Sequence, residues 1–583
     1  MMGGVPSAAR HPKARQPYQP GPAAAPRWFQ PALLGLGLLL GLGLFSRELS
    51  DSDFWWHLKT GEWIVHAGRL PVPDPFAYTT ALARPAYAGE ELVRYFNLTH
   101  EWLAQGLIYL AWRATGAGGV VLLRALLLTL FCAAAGWIVW RRRGNFYWAV
   151  AAGLGAASVS VEFANDRPYL ATFLFLALAV AILESRRRVW LLAPLFLAWA
   201  NCHGGFFLGW TVVGAYAAEA LWLRGRGRAQ AGDRGLYVWG AAAILVSGIN
   251  PNGFRVLEIL LWYRSSDMQS RLLEWARPEL WPPSAFSVLL AAGAAVLVWQ
   301  RARVRVADWL LFAAFAAAAL TASRNTILIG WFAPIAIASY LPWELRPRPI
   351  AQYAAAAIGV AALAGGVAEG RMFQLRAAEW KFPAGAADFL LSHGVRSRLF
   401  NTYEDGGYLM WRLGPREKVF IDGRALSESL FADYARILYN HDATGGKDAF
   451  ALLDQYGVET IVIDGFEFVT GQMYLLAPGL TDPAEAQWKL VYEDSAAMVF
   501  MRNPPADVAA LDSLRVFPSL EAECEAHLEH EPGYPRCARA LGQMFSKLGD
   551  WPRARRWIGA YLERPHGPDP EAEDAYRRLL TAR

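Results

Sequence analysis

The sequence predicts a polytopic α-helical membrane protein of about 11 transmembrane helices. A C-terminal extracytoplasmic α/β domain and a tetratricopeptide-like helical tail follow. Three observations carry this. Of 583 residues, 55% are hydrophobic and 18% charged, whereas soluble proteins carry about a quarter charged residues. The apolar residues run in uninterrupted blocks, near the ~20 residues a helix needs to cross a bilayer. Arginine clusters occupy alternate loops between the blocks, as the positive-inside rule requires.

Residues 1–27 hold Arg10, Lys13, Arg15 and Arg27 and no acid, which predicts a disordered cytoplasmic tail. Residues 28–46 make the first span, with no small-residue cleavage site after it. The stretch 47–116 is then extracytoplasmic. It opens SDSDFWWHLKTGEWI, passes through a rigid Pro71–Pro75 turn holding Asp74, and ends in an interfacial helix from His100 to Gly116. Spans follow at 118–140, 146–161 and 169–183, returning to Arg141–Arg143 and Arg186–Arg188 on the inside.

Residues 189–223 form two spans broken at Asn201-Cys202-His203-Gly204-Gly205. Irregular backbone at membrane depth is tolerated where protein or a water-filled cavity satisfies it. Further spans at 235–249, 284–299, 308–322, 327–343 and 351–368 complete the transmembrane domain, 28–370. This path puts the arginine clusters on one side and leaves the loop acids, His203, Asn250 and Arg324 on the other.

Residues 371–505 read as an α/β domain. RLFNT, KVFID and ETIVID are strand-like, and WKLVYED with AMVFMR forms a hairpin. Residues 506–583 are helical with tetratricopeptide-like spacing, a surface for docking a protein partner. Cys524 and Cys537 flank its first turn, where a disulfide and two buried thiols both fit. No cysteine pair has metal-site spacing. The net charge of +5 is spread over membrane-flanking loops, so nucleic acid is not an expected partner; the lipid bilayer is.

The candidate chemistry sits on the outer face. Asp51 and Asp53, just past a membrane exit, can supply a general base or bind a divalent cation such as Mg or Mn. Ser50–Asp53 also has the composition of a helix N-terminus. Trp55, Trp56 and His57 make an aromatic shelf suited to a sugar ring. His100 and Glu101 open the interfacial helix. An ionisable residue such as His203 in a membrane segment is a functional candidate by default. Arg167 and Arg324 are outer-face arginines suited to phosphate, with Lys59 and Asn250 as further contacts. Asp422-Gly423-Arg424 reads best as a tight turn with a structural ion pair.

Asp51-Ser52-Asp53 after the first span, then His100-Glu101-Trp102-Leu103 opening an interfacial helix, resembles the GT-C superfamily of polyprenyl-phosphate-dependent membrane glycosyltransferases. DSDFWWHLKTGEWI, HEWL, RPYL, NCHGG and FIDGR together resemble a bacterial family of this type. HEWL lacks the prolines of several members, and the chain has no WWD motif.

The resemblance implies transfer of a sugar from a polyprenyl-phosphate donor to a glycan, lipid or protein acceptor at a bacterial inner membrane, with inversion at the anomeric carbon. Asp53, with Asp51, is the expected base. Arg324, Arg167, His203 and Lys59 are expected on the donor phosphate. Trp55, Trp56, His57, His100, Glu101 and Asn250 are expected on the substrates. Two other readings fit parts of the chain: a transporter or flippase of a lipid-linked or anionic substrate, and an assembly protein.

Overall fold

The computed structural model describes residues 26–263, 265–268, 272–439 and 448–581. Nearly all of the predicted basic tail, residues 1–25, lies outside them. Helix α1 (Phe29–Phe45) leads through Ser46 into the outer stretch, where α2 (Asp53–Ala67) begins on the first candidate acid. Gly68, left-handed at φ 63°, ends α2. Helix α3 (Glu90–Thr99) was not foreseen in the sequence, which shows only an irregular run there. Helix α4 (Trp102–Arg143) turns at Gly116, whose φ of 64° and ψ of −162° divide the interfacial segment from the apolar one.

Helices α5 (Phe146–Ser160), α6 (Tyr169–Ser185), α7 (Leu192–Cys202), α8 (Phe207–Gly225) and α9 (Asp233–Val246) continue the bundle. The predicted break falls between α7 and α8: His203 is extended, and Gly204–Phe206 form a single 3-10 turn. The short α10 (Val256–Tyr263) packs against α3. Helices Ala285–Trp299, Val306–Thr321, Thr326–Tyr340 and Pro349–Ala368 complete the apolar set. Thr326–Tyr340 is its centre, with Trp331 fully buried, stacked on Phe131 and donating to the Phe131 carbonyl at 2.8 Å.

Among the described residues, Glu90–Arg143, Phe146–Phe163, Gly204–Gly225 and Pro349–Ala368 are long and apolar enough to cross a membrane, and five shorter apolar helices accompany them. This is a membrane protein. At the bundle end opposite the outer loop, Arg142 pairs with Glu184 and Asp308, and Arg305 with Glu184 and Glu219. The sequence showed the arginines only as topology markers. Their acids are hidden inside apolar runs.

In the C-terminal region, β1 (Leu399–Asn401), β2 (Thr460–Ile463), β5 (Lys489–Glu493) and β6 (Met498–Met501) form one sheet in the order β1-β2-β6-β5. Strands β1 and β2 are parallel, and β5–β6 is the expected hairpin, with an irregularity between Leu490 and Tyr492. A minor pair, β3 (Phe466–Glu467) and β4 (Gln472–Met473), stands apart. KVFID departs from expectation. It joins no sheet; instead Val419 bonds through its N–H to the Phe76 carbonyl, at 3.1 Å, and through its carbonyl to the Tyr78 N–H, at 3.2 Å. This expected strand is thus a clasp on the outer loop.

A shared apolar core reinforces the clasp. Phe54, Trp55 and Leu58 of α2 pack with Phe382, Tyr408 and Leu409. The tail helices Val516–His530, Arg536–Lys547, Trp551–Leu562 and Pro570–Thr581 share the other core of this region with the sheet. Cys524 and Cys537 are joined as a disulfide; of the two options the sequence left open, the structure holds this one.

Candidate active site

Asp53 sits on the first turn of α2, where Trp56 Nε1 donates to its Oδ1 at 3.0 Å. It faces a cavity of about 580 Å³. The outer loop contributes Asp53, Trp56, His57, Asn97, His100 and Glu101 to the walls. The helix bundle adds Arg167, Thr172, His203, Tyr263, Glu274 and Arg324. The C-terminal domain closes one side with Gly423, Arg424 and Ala425. Asp53, Glu101, His203 and Arg324, four candidates from distant parts of the sequence, therefore line one cavity.

One pole is built on Arg167. Its Nε and Nη2 donate to the two oxygens of Asp51 at 2.6 and 2.8 Å, and its Nη1 lies 2.7 Å from Asp53 Oδ2 and 3.6 Å from Glu274 Oε2. Burial acts to raise the Asp51 carboxyl, but Arg167 outweighs it and holds the group below its ordinary value. Burial lifts Asp53 to about 7, with the charges of Asp51 and Glu404 adding to the rise against the pull of Arg167. Two carboxylates two residues apart thus differ in role: Asp51 stays ionised, while Asp53 titrates near neutrality.

The other pole is built on Glu101, 7% exposed. His100 Nε2 lies 3.2 Å from Glu101 Oε1, His203 Nε2 3.6 Å from the same oxygen, and His57 Nδ1 3.4 Å from Oε2. Burial opposes ionisation of Glu101, yet the three imidazoles together hold its carboxyl below the ordinary range. Burial takes His57 down to about 4 despite Glu101, so it is neutral at pH 7.

Neither pole fits a metal ion well. At the Asp51–Asp53 pair, the position between the carboxylates is filled by the Arg167 guanidinium. At His100, Glu101 and His203 the possible ligand atoms lie within 4.8 Å of one another. However, the Gly205 N–H donates to His203 Nδ1 at 3.0 Å, which leaves the proton on Nε2 and makes that atom a donor to Glu101. His100 is oriented by a 2.8 Å bond between Nδ1 and the Phe96 carbonyl.

Arg324 is held by Glu274 at 3.0 Å and lies over the Trp275 ring, 4.6 Å from its centroid. A buried triad fixes the C-terminal wall: Arg424 Nη1 bonds Asp74 Oδ1 at 2.8 Å, and Nε bonds Asp422 Oδ1 at 2.6 Å. Between these residues Gly423 approaches Asp53 so closely that a Cβ there would collide with Asp53 Oδ1. The ion pair expected at Asp422–Arg424 is present, and it secures a wall of the cavity.

With this architecture, the chain matches the archaeal oligosaccharyltransferase AglB from Archaeoglobus fulgidus, solved with an inhibitory peptide and a dolichol-phosphate. The TM-score is 0.50 at 11% identity, over 83% of this chain and 75% of that one. At that identity the likeness is one of fold: the chain has the architecture of this oligosaccharyltransferase. The apo form of the Archaeoglobus fulgidus oligosaccharyltransferase gives a TM-score of 0.49 at 12% identity, over 83% and 76% of the two chains. No protein-family model matches the sequence, and no curated protein matches it.

Three expected site residues lie elsewhere. Lys59 is turned away from the cavity, donating to Glu62 at 2.7 Å and to the Gly414 carbonyl at 2.9 Å. Trp55 is core, edge-on to Phe382 and Tyr408; adjacent positions on a helix point about 100° apart, so the shelf divides and only Trp56 and His57 reach the cavity. Asn250 closes its own turn, donating to the Ser247 and Gly253 carbonyls. Asp51 stands behind Asp53, engaged by Arg167. Asn97 and Tyr263 were missed: neither lies in a motif, and Asn97 reaches the site by donating to the Arg424 carbonyl at 3.2 Å.

Proposed function

We propose that this protein is an inverting membrane glycosyltransferase that moves a sugar from a polyprenyl-phosphate donor to an extracytoplasmic acceptor. The observation that carries the reading is the placement of Asp53, a near-neutral carboxyl, in the same cavity as Arg324 and His203. In the reaction, Asp53 takes the proton from the acceptor's nucleophilic atom. That atom bonds the anomeric carbon as the carbon–oxygen bond to phosphate breaks, and the electron pair leaves on the lipid phosphate. Such a leaving group needs no general acid. It needs a cationic group to hold its charge, supplied by Arg324. Trp56 and His57 form the sugar's wall.

In this reading the apolar helices make about 11 spans, with the N-terminus cytoplasmic and the C-terminal domain outside, at a bacterial inner membrane. The Cys524–Cys537 disulfide supports an oxidising compartment for that domain. The acceptor is a glycan, lipid or protein, and the tail helices offer a surface for a protein partner. The test is sugar transfer by the purified protein from a radiolabelled polyprenyl-phosphate sugar. Transfer in wild type and its loss in D53N are expected; equal turnover in the two proteins refutes the base assignment.

A further inference from the structure

We infer that Arg167 occupies the place of a divalent cation, so that glycosyl transfer at Asp53 proceeds without one. The inference deepens the proposed function and takes its catalytic meaning from it. Paired carboxylates are hard oxygen ligands of the kind Mg or Mn takes, and those oxygens must be free to approach the ion. Here both oxygens of Asp51 and one of Asp53 point at a single guanidinium, at 2.6, 2.8 and 2.7 Å. The remaining oxygen of Asp53 accepts from Trp56 Nε1. Asp51 is 9% exposed, leaving little room for an ion with its own waters.

The guanidinium does what a bound ion would do for these acids. It neutralises Asp51, tethers Asp53 to it and reaches Glu274 on the far wall. Its planar fork suits a bidentate carboxylate and stays charged at every working pH. Arg167 is thereby a positioning residue acting through Asp53. With three carboxylates around it, it has little charge to offer a phosphate, which leaves that work to Arg324.

The experiment is a Mn²⁺ titration of the purified full-length protein in detergent, read by electron paramagnetic resonance. Wild type is expected to show no Mn²⁺ site that D51N removes. R167Q is expected to gain one such site, and the D51N/R167Q double variant to lose it. A D51N-sensitive Mn²⁺ site in wild type overturns the inference, as does a folded R167Q that gains none. If R167Q does not fold, wild type decides alone. This arm needs no sugar donor, so its outcome is separate from that of the transfer assay.

A second arm uses activity. Wild-type transfer is expected to be undiminished in EDTA; loss in EDTA with recovery on adding Mg or Mn overturns the inference. R167Q is expected to slow transfer on the order of 10²-fold by loosening Asp53. It also moves the acid limb of the rate profile to higher pH, because the cation that favours the Asp53 carboxylate is gone. A fold-stabilising role alone would leave that limb in place.

Discussion

The bundle has a charged cluster at each end, built from the same residue types. At the end away from the Asp53 cavity, Arg142 and Arg305 meet Glu184, Glu219 and Asp308, with Tyr216 and Tyr340 donating to Glu184 and Asp308. Among the described residues, all three of these acids have their oxygens paired, and the large cavity does not reach them. At the outer end, Arg167 is shared among three carboxylates. Glu101 Oε2 is buried without a hydrogen-bond partner, and the cavity opens beside Glu101. A closed, satisfied network specifies a structure. An open one with unmet bonding capacity is what a reaction site requires. Charge alone does not separate the two; satisfaction and room do.

Four changes test that contrast, in order of expected effect. D53N is expected to reduce transfer roughly 10²–10⁴-fold, while the unfolding midpoint in detergent stays near that of wild type. R142A, at the other end, is expected to do the reverse. Leaving Asp308 buried without its cation, while Glu184 keeps only Arg305, costs about 3–5 kcal/mol of stability. Transfer per folded molecule is preserved, so a large loss of specific activity in R142A would dissolve the distinction between the ends.

G423A is the third. Its new methyl meets Asp53 Oδ1 and, at 2.9 Å, Trp56 Nε1, so the base must move. Transfer is expected to fall on the order of 10²-fold, measured beside thermal stability to separate displacement from unfolding. The smallest effect is that of pH. With Asp53 raised to about 7, its base form is lost as pH drops through that value. The rate at low substrate is then expected to fall about tenfold per unit below it. A profile flat down to pH 5 would remove Asp53 as the titrating base.

Much of the outer cluster was legible because each member breaks a local rule. Asp53 follows an apolar block, His203 interrupts one, and Arg324 stands where positive charge is unexpected. The faces of α2 were not legible: nothing in SDSDFWWHLKTGEWI tells which side meets the C-terminal domain, so Trp55 and Lys59 were placed in the site. The acids of the other cluster were hidden for the opposite reason, since Glu219 sits alone in an apolar run, Glu184 and Asp308 stand at the ends of such runs, and their arginine partners come from other segments. Asn97, Tyr263 and the role of Gly423 depend on tertiary contacts across the chain, which local pattern does not encode. KVFID was misread because a β-branched run is extended whether its partner is a sheet or a loop.

The Asp74–Arg424 contact joins residues 350 positions apart, and Asp53 rests against Gly423 across a similar span. During synthesis, Asp53 emerges with the first loop, long before the segment that walls it in. Until residues 420–425 have been made and docked, the base stands in a half-built pocket with no C-terminal wall. If Asp53 is the base, as proposed, the newborn chain is inactive until that wall is in place. A truncation before residue 420 would keep most of the charged cavity residues yet lack the surface that fixes Asp53, making complete synthesis a condition for catalysis.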